Sequence, residues 1–366
     1  MNIKNAVATT VDITRTHTLK QGFEMLPGAA SFLRDRYFPT NTATDVFNTE
    51  DVLVDYKDGT KTLAPFVLKG GKGNDRVWHT TDRFTPARIA PKRTLTVDDL
   101  KKRGFGEALS SGLAPAEREA ALALRDLQDL DKQITRREEL ICAELLMNNA
   151  VTMKHYANGD SATADQDITL KFYDGDTNPN QYTPAINWGE SGAKIVDDLY
   201  AMSQMLIQKG RTASDVILGS DAAAALLGDA EIRELLDIRN FNVGALAPEA
   251  LPNGVIFLGR LSAWGVALNI FNYCETYVDD AGKTQFYIPA NAAIVTAENV
   301  GRTLYGCVTQ VEQIDKQFHS YEGRRVPKYV SDVDADERTL TLTACPLPAP
   351  NYKDGWISAT VVAAGE

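Results

Sequence analysis

Apolar and polar positions change their period several times along the chain, and each change marks an element. Residues 1–50 hold few consecutive apolar side chains. Their one amphipathic stretch is Ala30-Ser-Phe-Leu-Arg-Asp-Arg-Tyr-Phe38, stopped by Pro39, which predicts an arm with a single short helix. From residue 51 the period drops to two: Val52, Val54 and Tyr56 share a face before the turn at Asp58-Gly59. A second run, Leu63 to Leu68, leads into the glycine-rich tip Lys69-Gly-Gly-Lys-Gly-Asn-Asp75 and on to Arg76-Val-Trp-His79. Residues 51–103 therefore read as a long hairpin with little of its own to bury, expected to lie on something else.

Pro115 opens the most regular segment, running to about Ala150 without Gly or a further Pro. Pro suits a first helical turn, and Glu117 and Glu119 suit its positive end. At about 1.5 Å per residue such a helix spans roughly 54 Å. Ala120, Leu127, Ile134 and Ile141 recur every seven residues, whereas the set from Leu124 passes through Asp131 and Glu138 before Leu145. One narrow stripe predicts a spine lying along a sheet or a neighbour rather than a coiled coil. Residues 151–190 follow as a strand pair, with Ile168 to Tyr173 the clearest strand.

From Gly192 helix and strand alternate. Ile195, Leu199, Met202 and Leu206 predict a helix ended by Gly210, Val216 to Leu218 a buried strand, and two helices follow to about Arg239. Strands are expected at Val255 to Leu258, Val266 to Phe271 and Gln285 to Ile288, the last reached by a hairpin over Asp279 to Lys283. The block 191–298 reads as a compact α/β unit, after which 299–366 returns to strands at Arg338 to Thr343 and Trp356 to Val362.

Composition narrows the function. The 366 residues are 44% hydrophobic and 24% charged, enough to bury a core. No apolar run is long enough to span a bilayer, and no signal-peptide core follows Met1 to Ala6, so no membrane association and no secretion by that route are expected. Four cysteines without a C-x-x-C pair read as buried thiols in a reducing compartment. A net charge of −11 argues against a dedicated nucleic-acid binder. That charge is uneven: residues 51–103 carry twelve basic against seven acidic side chains, and 104–190 carry seven against fifteen. A basic segment followed by an acidic one suggests two surfaces that meet, within a chain or between chains.

The stretches that approach catalytic motifs are each incomplete. Ala281-Gly-Lys-Thr284 lacks the earlier glycine of a phosphate loop, Tyr277 standing in its place, and reads as a hairpin turn. Asp174-Gly-Asp-Thr-Asn178 has Pro179 where a calcium loop needs Gly, and reads as a solvated turn. Gly104-Phe-Gly106 lacks its third glycine, and His17, His79, His155 and His319 fall in no metal-binding frame. No catalytic residue, metal ligand or cofactor is assigned.

Several stretches carry a resemblance. Phe32-Leu-Arg-Asp-Arg-Tyr-Phe-Pro39, Phe84-Thr-Pro86 followed by Ile89 and Pro91-Lys92, Arg302-Thr-Leu-Tyr-Gly-Cys307, Pro327-Lys328 and the closing Thr341 to Leu347 follow one another collinearly. Together they resemble the lambda-type major capsid protein E family of tailed bacteriophages, with Leu304 and Cys345 as departures. The resemblance implies an α+β fold: arm (1–50), extended β-hairpin loop (51–103), peripheral domain with spine helix 115–150 (104–190), α/β axial domain (191–298) and return to the peripheral domain (299–366). It implies a non-enzymatic head protein that self-assembles into hexamers and pentamers, closing an icosahedral shell around double-stranded DNA without sequence-specific binding. Expected partners are the chain itself, a portal, a scaffold or scaffold-protease, and a decoration protein. The expected location is the virion, and the host cytoplasm during assembly.

Candidate inter-subunit contacts are Lys69, Lys72, Arg88, Lys92 and Arg93 of the basic segment, Glu138 and Glu139 of the acidic spine, and Arg302. Lys69 and Lys72 are read as solvated charges, against a covalent crosslink of the kind some phage shells form. Two other readings remain open: a cellular nanocompartment shell of the encapsulin kind, and a soluble cytoplasmic enzyme with its site in 191–298.

Overall fold

The computed structural model describes Thr16, Lys20 and residues 31–57, 79–101, 115–156, 165–232, 249–251, 254–263 and 265–363. Helices are α1 (Phe32–Tyr37), α2 (Val97–Lys101), α3 (Pro115–Asn148), α4 (Ile195–Gln208) and α5 (Ser220–Gly228). Mixed helix and sheet is the class that the sequence implies.

α3 is the spine. Its 34 residues span about 51 Å. Leu127 and Ile134 of the apolar stripe pack with Leu130 on Tyr329, Leu340 and Leu342, which belong to a three-stranded sheet of Lys92–Thr96, Glu337–Thr343 and Val326–Asp332. Farther along, Ile141, Leu145 and Leu146 enter the main core beside Leu33, Tyr37, Phe38 and Trp356. Asn149 then takes φ 52°, a left-handed conformation that asparagine tolerates, and turns the chain into Ala150–His155. That strand pairs antiparallel with Gln166–Lys171.

A seven-stranded sheet runs in the order 181–182, 356–360, 292–296, 215–218, 266–273, 255–263, 249–250. Its central strands are covered on both sides, and the period of two divides their side chains. Val216, Leu218, Ala293, Val295, Ile357 and Ala359 face α4 and α5, meeting Leu199, Met202, Leu206, Ala222 and Leu226. Ile217, Ile294 and Trp356 face the main core. The block 191–298 is thus not closed in sequence: Trp356–Thr360 arrives from the far end of the chain and sits between Ala292–Thr296 and Gln181–Tyr182. Gly210, at φ 86°, ends α4 where expected.

The hairpin differs from its sequence reading. Val52–Lys57 pairs antiparallel with His79–Phe84, and Val52, Val54 and Tyr56 are buried in this chain's own core. Tyr56 meets Phe172 edge-on at 6.3 Å, and Phe84 meets the same ring at 5.6 Å. The base of the ribbon therefore has a floor within the subunit. The Leu63 to Leu68 run and the tip from Lys69 to Asp75 lie outside the described residues. Lys92–Thr96 leaves the hairpin to pair with Glu337–Thr343.

The segment Asp279 to Lys283 is a hairpin turn between Thr276–Val278 and Thr284–Phe286, with Gly282 at φ 79° and the Asp279 carboxylate accepting from the Ala281 and Lys283 N–H groups. Asp174 is fully exposed on its turn. Cys142, Cys307 and Cys345 are buried free thiols, while Cys274 is half-buried.

Candidate functional site

A dense polar cluster among the described residues joins the arm helix, the spine and the return strands. Asp131, Thr135 and Glu138 lie at i, i+4 and i+7 on α3 and so share a face. Arg325, just before Val326–Asp332, spans all three: Nε donates to Asp131 Oδ1 at 2.8 Å, Nη1 and Nη2 grip Glu138 at 2.7 and 2.9 Å, and Nη2 also reaches Thr135 Oγ1 at 3.3 Å. From the other side Arg34 Nη1 donates to Glu138 Oε2 at 2.8 Å, and the Tyr305 hydroxyl donates to Oε1 at 2.9 Å. The side chains of Arg325 and Glu138 are 4% and 1% exposed.

Charges buried so deeply persist only when paired and hydrogen-bonded. Burial alone would raise the Glu138 carboxyl, but Arg325 and then Arg34 outweigh it and hold it down at about 2. Burial and the nearby Glu138 push the Tyr305 hydroxyl up to about 12.

The neighbouring carboxylate does different work. Glu139 accepts the Leu33 N–H at 2.8 Å and the Arg34 N–H at 3.1 Å, takes the Ser31 hydroxyl, and receives the Tyr273 hydroxyl at 2.8 Å. Leu33 and Arg34 are the second and third residues of α1, so their N–H groups have no partner inside the helix. Glu139 therefore caps α1 from a different helix.

α1 is seated at its other end too. Arg36 Nε donates to Asp215 Oδ2 at 2.7 Å, with its guanidinium 4.9 Å from the Phe271 ring centre, and the Tyr37 hydroxyl donates to the same carboxylate oxygen at 3.0 Å. Asn269 holds the other oxygen of the wholly buried Asp215 at 2.9 Å. Phe38 packs against Gly301, where a Cβ would run into its ring. Thr303 Oγ1 donates to the Phe38 carbonyl at 2.9 Å.

Chemically this hub fastens. Its carboxylates are saturated by guanidinium, hydroxyl and backbone donors, and among the described residues no group of three His, Cys, Asp or Glu could hold a metal ion.

The residues expected at subunit contacts fall in three places. Glu138 and Glu139 are inside the subunit, contrary to their assignment as surface contacts: their partners come from this chain's arm and return strands, and 1% and 4% exposure leaves no face for a neighbour. Arg88, Lys92 and Arg93 are exposed. Arg93 also approaches Asp126 of its own spine at 3.7 Å. Arg302 is partly exposed and lies 3.6 Å from Asp45. Lys69 and Lys72 lie outside the described residues.

Sequence reasoning missed Arg34, Asp131, Tyr273 and Arg325 as functional, since each pairs with a residue more than 100 positions away. A signal was nevertheless present. Arg34 and Tyr305 sit inside stretches that carry the family resemblance, and Arg325 stands two residues before Pro327-Lys328.

Solved structures share the fold. A protein assigned as the capsid protein of an Escherichia coli CFT073 prophage aligns with a TM-score of 0.59 and 16% identity, covering 92% of this chain and 91% of its own. A phage-related protein from Bordetella bronchiseptica RB50 aligns at 0.51 with 10% identity, covering 95% and 97%. The SrpI encapsulin of Synechococcus elongatus PCC 7942, at a TM-score of 0.43 and 11% identity over 93% of each chain, is too remote to weigh for the nanocompartment reading. No curated protein matches. The sequence model of phage major capsid protein E, by contrast, matches residues 15–361. That span takes in the arm helix, the spine and every return strand that meets at the hub, and the chain belongs to the phage major capsid protein E family.

Proposed function

We propose that the chain is the head-shell subunit of a tailed bacteriophage, assembling with itself into hexamers and pentamers that close an icosahedral shell around double-stranded DNA. The observation that carries this reading is the family match across residues 15–361. Apolar side chains left uncovered on the single subunit support it: Val333 is 83% exposed, Phe318 78%, Val278 66% and Ile314 57%. Apolar surface of this kind marks an interaction site where it is contiguous, and obligate interfaces run above roughly 2,000 Å². The subunit works without catalysis of its own. It assembles in the host cytoplasm with a scaffold or scaffold-protease and a portal, and takes a decoration protein outside. An acidic shell, at −11 per chain, holds DNA without gripping it.

Negative-stain microscopy of the purified chain, co-expressed with its scaffold, tests the proposal. Closed shells or capsomer rings tens of nanometres across are expected. A clean peak near 40 kDa that never assembles would return attention to residues 191–298 as an enzyme domain.

A further inference from the structure

We propose that α1 is a clip whose seat on the spine is set by Glu139, and that it opens as a unit while the rest of the subunit stays folded. The proposal goes beyond the head-shell reading, and its test needs only the unassembled chain.

Four observations carry it. First, α1 has six residues, far below the length at which a helix holds itself together in water. Second, its cap is borrowed. Ser31 makes no side-chain cap bond to the helix, and the backbone N–H that the local Asp35 carboxylate takes is that of Ser31, at 3.0 Å, before the first helical residue. The two N–H groups that need an acceptor find it in Glu139. The helix therefore forms when docked and has little reason to persist when released.

Third, release leaves the central carboxylate of the hub paired. Glu138 would keep the two-pronged grip of Arg325 and the Tyr305 hydroxyl. Glu139 would keep Tyr273, and Asp215 would keep Asn269. Arg34 would depart with its own counterion, Asp35, which it contacts at 2.7 Å. A buried network that loses a partner is normally penalised for the group left behind. Here Glu138 keeps its guanidinium, while Glu139 and Asp215, which lose the arm's N–H donors and Arg36, are opened to water along the vacated seat, so the open state is a discrete local opening rather than the start of collapse.

Fourth, the hinge is defined. Downstream of Pro39 the chain is pinned again: Thr40 Oγ1 donates to the Thr303 carbonyl at 3.2 Å, and Val46 bridges Tyr305, whose N–H reaches the Asp45 carbonyl at 2.8 Å. Movement concentrates at Phe38 and Pro39. Leu33, Tyr37 and Phe38, all wholly buried, keep the open state rare.

Cys142 reports on the clip. It is wholly buried one helical turn beyond Glu139, in the same core cluster as Leu33, Tyr37 and Phe38. Thiol labelling of the full-length subunit, located by peptide mass, should be run at increasing low urea beside hydrogen exchange of Asp215–Leu218. In the native chain, Cys142 labelling is expected to vary little with low urea, as a small opening must, while exchange in the central strand tracks global unfolding. Glu139→Gln is expected to speed Cys142 labelling at least tenfold and to strip protection from the Leu33 and Arg34 amides. Should that variant not fold, Ser31→Ala removes one of Glu139's donors and is expected to act in the same direction, by a few-fold. Labelling of Cys142 with the same urea dependence as the central strand would overturn the proposal, as would an unchanged rate in both variants.

Discussion

Glu138 occupies the heptad set that begins at Leu124 and ends at Leu145, where an apolar residue would let α3 pack as an ordinary amphipathic helix. A charge is kept there because two guanidiniums, from the arm and from the return strands, converge on it. Glu138→Gln preserves the volume and removes the charge, leaving Arg34 and Arg325 buried with one acid fewer. A loss of about 3–5 kcal/mol is expected for breaking such a network from one side, read as a lowered denaturation midpoint. The pH dependence follows from the same residue. Its folded-state value of about 2 lies below the ordinary 4.5, so its stabilisation is fully present above about pH 5 and disappears as pH falls toward 2. The native chain should therefore show a steep acid limb that the glutamine variant lacks to that extent. A variant with the native midpoint and the native acid limb would remove Glu138 from any account of stability.

At the scale of elements, the parts legible in the sequence are those whose burial repeats locally. Ile195, Leu199, Met202 and Leu206 fall on one side of α4 and are buried as their spacing predicts, and Val216 to Leu218 is a buried strand for the same reason. The spine's stripe was legible at Leu127, Ile134 and Ile141. Its second buried face was not, because Asp131 and Glu138 interrupt the apolar spacing and become core residues through Arg325, 187 or more positions away, and, for Glu138, through Arg34 as well. The position of Trp356–Thr360 in the seven-stranded sheet was hidden for a related reason: a strand's pattern says that it is buried, not which strands flank it.

Small elements are tied down by the same long-range logic. The hairpin Thr276–Phe286 shows Val278 and Phe286 to solvent and is tethered through Asp280, whose two oxygens take Arg137 of the spine at 2.6 Å and the Tyr156 hydroxyl at 2.9 Å. Being partly exposed, the tether is worth at most about 1 kcal/mol. Asp280→Asn should leave the denaturation midpoint within that margin while hydrogen exchange accelerates in residues 276–286. Unchanged exchange there would mean that Tyr277, packed on Tyr287 with ring centres 5.0 Å apart, holds the hairpin alone.

Over the whole molecule, charge and apolar surface separate into what holds the subunit together and what it presents outward. The internal pairs gather where arm, spine and return strands meet, whereas Arg88, Lys92 and Arg93 remain exposed along the basic segment. Lys92 and Arg93 lie on Lys92–Thr96, an edge strand, where basic side chains deter indiscriminate strand pairing and leave recognition to charge. The approach of Arg93 to Asp126 within one subunit shows the geometry available to this basic edge over an acidic spine. With Arg93 67% exposed, that contact contributes under about 1 kcal/mol to the fold. In a shell in which the same edge met the spine of a neighbour, reversing its charge would bring like charges together at the interface, a penalty of several kcal/mol. Changing Arg88, Lys92 and Arg93 together to Glu should therefore leave a folded, monodisperse subunit with a native-like circular dichroism spectrum and no closed shells under the stain. The hub residues, being internal, predict the opposite order of failure: Glu138→Gln should weaken the subunit before assembly is reached. Normal heads from the triple reversal would place subunit recognition elsewhere, first of all at the exposed Phe318 and Val333.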